Sequence, residues 1–142
     1  MISQPVLLDT DTLSAIMRQH PLAIKQAQIY LKKHQRFTFS IITRYEILRG
    51  LKAKKATTQL ATFENLCRKT HILPITDKII LKAADIYADL HQSGLLIGDA
   101  DILIGATALV HNLSIITNNE NHFKRISELP VGNWLKATSP NQ

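Results

Sequence analysis

PVLLDTDTLS, residues 5–14, is a short apolar run, Val6 to Leu8, that stops abruptly at a carboxylate, Asp9. That pattern suits a buried strand delivering an acid at its carboxyl end. In open parallel sheets ligands gather outside the carboxyl ends of the strands, so Asp9 is a candidate site residue if the fold is α/β. The competing reading is structural, with Asp9 or Asp11 capping a helix that begins near Thr12.

The rest of the chain alternates short apolar strands with longer helical patterns, which argues for a parallel sheet covered by helices. Residues 12–17 predict a short helix, and Pro21 suits the first turn of a second, running to about residue 33 with Ile24, Ala27 and Leu31 inward. Residues 37–40 predict a strand, with Ser40 placed to cap a helix over 41–54. On that helix Ile41, Tyr45, Leu48 and Leu51 are expected to share the inner face, which sets Glu46 beside the buried stripe near the amino end. Thr43 and Glu46 also have capping-box spacing, the structural reading of the same glutamate. A helix over 56–69 and a strand over 71–75 follow. Thr76 then caps a long helix whose inner stripe is Ile79, Ala83, Ile86 and Leu90, ending at Ser93 and Gly94.

In GLLIGDADILIGATAL, Asp99 can cap and Asp101 falls in the first turn of a helix to about residue 112, apolar on nearly all sides and so central. Gly105, Ala106 and Ala108 are small enough to let it press against the sheet. Capping and the helix dipole explain both acids structurally, at about 0.3–1 kcal/mol each. Residues 114–117 predict another strand, followed by the polar turn NNENH and an edge strand over 131–135.

A chain of 142 residues, 45% hydrophobic and 20% charged, predicts one domain over residues 1–137 with 138–142 as a flexible tail. A single cysteine, Cys67, excludes an internal disulfide framework and fits a reducing cytoplasm. No start resembling a signal peptide and no apolar run of spanning length is present, so a soluble, unexported protein is expected. Seventeen basic residues against eleven acidic ones, a net charge of +6, suggest a polyanionic partner, nucleic acid first. Arg44, Arg49, Lys52, Lys54 and Lys55 form the densest basic stretch, a groove wall for a phosphate backbone if they share one side of a helix. The six histidines show no zinc-motif spacing.

Asp9, Glu46 and Asp101 come from separate elements, each at a strand end or a helix start. Brought together they would repel one another unless a cation neutralised them. A hard divalent ion, Mg²⁺ or Mn²⁺, takes oxygen ligands, keeps several waters and commonly shares one or two carboxylates with substrate phosphate oxygens. With a water activated on that ion and a basic wall nearby, a phosphodiester is the natural substrate.

The segments LLDTDTLS, ITRYEILRG, DADILIGATALVHNL and SIITNNENHF resemble, in order and over nearly the whole chain, the PIN domain family, specifically the VapC toxins of toxin–antitoxin pairs. The resemblance implies a three-layer α/β/α sandwich with a central, mainly parallel sheet. It further implies an Mg²⁺- or Mn²⁺-dependent ribonuclease acting on tRNA or another structured RNA, a homodimer, and a small VapB-like antitoxin as partner. Carried over residue by residue, it makes Asp9, Glu46 and Asp101 the metal-binding carboxylates. Thr117 and Asn119 match polar residues lining the same pocket, and Asp11 falls where the family varies. Many relatives place a fourth acid where this chain has His122, so Asp99 is the candidate to compensate, with one ion as the alternative. His122 is then expected to contact substrate phosphate, beside Arg44 and Arg49.

Two other readings compete. DTDTL matches the DxDxT nucleophile loop of haloacid-dehalogenase-like phosphatases, with LLIGDAD as their later acidic loop and Asp9 as nucleophile. That reading leaves Glu46 and the NNENHF turn unexplained. A basic nucleic-acid-binding module explains the charge but leaves the acids idle.

Overall fold

A computed structural model of the protein describes residues 4–137, so the expected tail at 138–142 lies outside the described residues. The first strand, β1 (Val6–Leu8), is buried along its whole length. Its ladder is parallel, with Val6 opposite Ser114, Leu7 opposite Ile115 and Leu8 opposite Ile116 of β4 (Ser114–Ile116). β4 in turn pairs in parallel with the edge strand β5 (Val131–Gly132). A second parallel pair joins β2 (Thr38–Ser40) to β3 (His71–Leu73), and β2 lies alongside β1. The spatial order is therefore β3-β2-β1-β4-β5, and every ladder is parallel.

Alternation along the strands divides the interior into two cores. Val6, Leu8, Phe39 and Ile116 face α1 (Thr10–Met17), α2 (Pro21–His34), α3 (Ile41–Ala53) and α4 (Thr57–Arg68). Leu7 and Ile115 face the opposite way, onto α5 (Asp77–Gln92), α6 (Asp99–Val110) and α7 (Glu120–Phe123). Helices on both faces of a parallel sheet bury each strand twice, which is why the strands read as unbroken apolar runs. The result is the three-layer sandwich expected from the sequence.

The long helix α5 buries the expected stripe, Ile79, Ala83, Ile86 and Leu90, and Thr76 caps it. Its end also matches, with Ser93 at the cap and Gly94 in the left-handed conformation at φ +69°. Three local expectations are corrected. On α3 the buried residues are Thr43 and Ile47, with Leu48 and Leu51 partly buried, whereas Ile41 is 39% and Tyr45 58% exposed. Because α3 packs against both α1 and α4, its inward face is rotated away from Ile41 and Tyr45. Thr43 and Glu46 form no capping box, since Ser40 caps α3 by accepting from the Ile42 N–H at 3.0 Å. Asp99 does not cap α6 either, because the cap is Gly98 and Asp99 is the first helical residue.

Gly105 on α6 meets the segment after α7 rather than the sheet. A Cβ there would lie 2.5 Å from Ile126 Cδ1, so any larger residue would have to displace the end of that side chain.

Candidate active site

The carboxyl ends of β1 and β4 lie side by side, since Asp9 N donates to Ile116 O at 2.9 Å. Asp9 thus leaves the sheet next to Thr117, and it caps α1 as well: its Oδ1 accepts from the Thr10 N–H at 2.8 Å. The capping reading and the site reading of Asp9 describe one geometry, and α1 accordingly begins at Thr10 rather than Thr12. The second oxygen, Oδ2, accepts from Thr117 Oγ1 at 2.8 Å. Asp9 is only 5% exposed.

Burial, first, and the neighbouring charge of Asp11, second, push the Asp9 carboxyl up to about 7, with Asp101 adding in the same direction. The Thr117 hydroxyl and the Thr10 N–H oppose that shift without overcoming it. Burial and the neighbouring acids thus outweigh the hydrogen bonds that would hold Asp9 ionised.

Thr117, fully buried, is the hub. Besides donating to Asp9, its Oγ1 accepts from the Asn119 N–H at 2.9 Å, which fixes the turn into α7. Asp11 Oδ2 accepts from the Asn118 N–H at 3.1 Å, tying α1 to the same turn. On α7, His122 Nδ1 lies 3.0 Å from Asp101 Oδ2 and 2.8 Å from Asn119 Nδ2. A proton on Nδ1 serves Asp101 and joins α6 to α7, whereas a bare Nδ1 accepts from the Asn119 amide and keeps the ring bonded to the start of α7 itself. Glu120 holds α7 from beneath, bonded to Lys136, Asn133 and Lys124, and these partners lower its carboxyl to about 2.

Glu46 reaches the cluster from α3. Its Oε1 is 2.6 Å from Thr10 Oγ1, while Oε2 is 3.7 Å from an Arg49 guanidinium nitrogen. Arg49 also lies over the exposed Tyr45 ring, 5.2 Å from its centre. Arg44 is occupied elsewhere: it forms a two-pronged pair with Glu64 of α4 and donates to Cys67 Sγ at 3.2 Å. Asp99 is exposed and, two residues before Asp101, points about 200° around the helix axis from it.

The structure thus connects Asp9, Asp11, Glu46, Asp101, Thr117, Asn119 and His122 by hydrogen bonds through Thr10 and Thr117. Among the described residues, no three His, Cys, Asp or Glu side chains stand close enough to form a ready-made ion cage. The donors are nonetheless carboxylate oxygens, the ligand type that suits a hard ion retaining much of its water. Sequence reasoning missed Thr10 and Thr43, whose hydroxyls meet at 3.0 Å. Thr10 was hidden because a threonine between two aspartates reads as a spacer, and Thr43 because it was read as half of a capping box. A cleft of about 210 Å³ between α5, α6 and residues 125–127 shares no lining residue with this cluster.

A profile of the PIN domain matches residues 6–129. The chain belongs to the PIN domain family. This PIN domain is 29% identical over 131 residues to Ribonuclease VapC2 of Rickettsia felis, covering 92% of the chain and 98% of that relative. It is 26% identical to the tRNA(fMet)-specific endonuclease VapC of Salmonella typhimurium, covering 90% and 96%. Among solved structures it resembles the Rickettsia felis VapBC2 complex bound to promoter DNA, with a TM-score of 0.82, 26% identity and coverage of 92% and 99%. VapBC-1 of nontypeable Haemophilus influenzae gives a TM-score of 0.80, 26% identity and coverage of 94% and 100%. The resemblance read from the four sequence segments is therefore confirmed, and the phosphatase reading of DTDTL is not favoured. Among the described residues, no helix of this PIN domain is long and apolar enough to cross a membrane.

Proposed function

We propose that this PIN domain is a divalent-ion-dependent endoribonuclease, the toxin of a toxin–antitoxin pair. The observation that carries the reading is the buried Asp9 at the end of β1, whose ionisation is opposed by burial and by the charges of Asp11 and Asp101. Such an arrangement stores repulsion that a cation relieves. Asp9 and Asp101 would hold Mg²⁺ or Mn²⁺, with Glu46 as the third acid. When bound, the ion lowers the pKa of a coordinated water and stabilises charge on the phosphate oxygens.

The chain's own residues supply orientation. Thr117 keeps Asp9 Oδ2 fixed, and His122 holds Asp101 from α7 when its Nδ1 carries the proton. When Nδ1 instead accepts from Asn119, the other ring nitrogen carries the proton and donates to a substrate phosphate oxygen. Arg49, with a largely exposed side chain beside Glu46, is the basic residue placed for the same backbone, whereas Arg44 holds α3 to α4. Asp99 is not needed in this assignment. The relatives named as ribonucleases and as a tRNA-specific endonuclease support structured RNA, tRNA included, as the substrate. The VapBC structures support a VapB-like antitoxin as partner. A homodimer would use the exposed apolar residues Ile80, Leu81 and Tyr87 of α5 with Leu95 and Leu96. The site of action is the cytoplasm.

Incubation of antitoxin-free protein with a tRNA pool tests the reading. Cleavage is expected with Mg²⁺ or Mn²⁺ and none with EDTA, and Asp11→Asn is expected to retain activity to within about tenfold. Undiminished cleavage in EDTA overturns the assignment. Release of phosphate from small monoesters, abolished by Asp11→Asn, would restore the phosphatase reading.

A further inference from the structure

We propose that Thr10, backed by Thr43, is the positioning residue that holds Glu46 at the ion site. The inference rests on the divalent-ion reading above and assigns a role to two hydroxyls outside the acidic set.

Thr10 is the first residue of α1, directly after Asp9, and its Oγ1 lies 2.6 Å from Glu46 Oε1 and 3.0 Å from Thr43 Oγ1. A hydroxyl carries one proton and two lone pairs, and an ionised carboxylate can only accept. The Thr10 proton therefore goes to Glu46, and Thr43 donates its own proton to Thr10. The Thr10–Glu46 separation falls in the range of charge-assisted O–H···O⁻ bonds, the stronger class. Thr43 is fully buried, where a hydroxyl is costly unless bonded, and it faces Thr10 from the helix that carries Glu46, three residues earlier.

Thr10 serves two acids at once. Its N–H goes to Asp9 Oδ1 and its O–H to Glu46 Oε1, so one residue fixes carboxylates from β1 and α3 relative to each other. The competing partner of Glu46 is Arg49, 3.7 Å from Oε2 with a side chain 60% exposed. Without the Thr10 hydroxyl, Glu46 turns to that arginine and away from Asp9. Thr10→Val removes the hydroxyl at nearly constant shape and keeps the N–H that receives the Asp9 cap. Thr10→Ser keeps both.

The experiment is titration of Mn²⁺ into the metal-free protein by calorimetry at neutral pH, without RNA, joined to melting of the same variants in EDTA. Partners that orient metal ligands are worth about 10–100-fold in affinity. The expected result is about tenfold weaker Mn²⁺ binding for Thr10→Val, binding within about twofold of the parent for Thr10→Ser, and an intermediate loss for Thr43→Val. Thr10→Val should add nothing on top of Glu46→Ala. Parent-like binding by Thr10→Val, or a loss in Thr10→Ser as large as in Thr10→Val, overturns the proposal. Should the parent and Asp9→Asn bind Mn²⁺ equally poorly, the ion reading itself fails, and the melts then judge the hydrogen bond alone. In that case, melting shifts of Thr10→Val and Glu46→Ala that fall short of additive support the Thr10–Glu46 link, and fully additive shifts overturn it.

Discussion

Asp9→Asn is expected to raise the melting temperature of the metal-free protein at pH 8 by about 5–10 °C while abolishing RNA cleavage. The folded protein lifts the Asp9 carboxyl from 3.8 to about 7, so folding favours its protonated form. The stability linked to that proton is fully present below about pH 3.8 and is lost as the pH rises through about 7. At 1.36 kcal/mol per unit, the loss by pH 8 is on the order of 4 kcal/mol. An asparagine carries no charge at any of these values, and its single oxygen still accepts one of the two bonds made by Asp9. Calorimetric melts in EDTA at pH 4, 6 and 8 should show the parent losing stability across that range relative to Asp9→Asn. Added Mn²⁺ should then stabilise the parent and not the variant, because an ion raises the melting temperature only where it binds the folded state in preference to the unfolded one. Parallel pH profiles for the two proteins would show that no repulsion is stored at Asp9.

The second large effect belongs to Asp101, and it also settles the role of its neighbour. Asp101→Asn should lower cleavage by about 10²–10³-fold at saturating Mg²⁺, the loss expected when an ion ligand goes. His122→Ala removes only the ring that braces Asp101 and, on the proposed reading, meets substrate phosphate, so its loss should stay within about tenfold, with an unchanged preference between Mg²⁺ and Mn²⁺. Magnesium prefers oxygen while imidazole suits softer ions, so a histidine ligand would reveal itself in that preference. Metal titrations with cleavage as readout decide the matter: a large rise in the magnesium requirement of His122→Ala would make His122 a ligand.

Much of the architecture is legible because burial on both faces leaves a plain mark. Val6 to Leu8 and Ser114 to Ile116 read as strands for the same reason that they are buried, and the stripe of α5 is regular enough to name each inward residue. The α3 face was legible only in part. A period of 3.6 fits Ile41, Tyr45, Leu48 and Leu51, of which Leu48 and Leu51 do pack on the core, but packing of α3 against both α1 and α4 turns Thr43 and Ile47 inward in place of Ile41 and Tyr45. Arg44 shows the same limit from the other side. A cluster of basic residues reads as a phosphate wall until Glu64, twenty positions later, is seen to occupy one of its members.

At the site, the acids and the polar turn could be named from strand ends and helix starts, and the family resemblance added Thr117, Asn119 and His122. The links between them were invisible, because they run through hydroxyls and backbone N–H groups whose roles depend on tertiary position. Thr117 is the plainest case. As a residue it is ordinary, and only its place at the end of β4, opposite Asp9, makes it the hub of the cluster.

The central claim, that these carboxylates direct water at an RNA phosphodiester, is tested most directly by cleaving RNA in ¹⁸O-labelled water with Mg²⁺ and weighing the new ends. Attack by water predicts a linear terminal phosphate carrying one labelled oxygen, whichever nucleotide is cut. An unlabelled 2′,3′-cyclic phosphate would show that the neighbouring ribose hydroxyl is the nucleophile and would contradict the account.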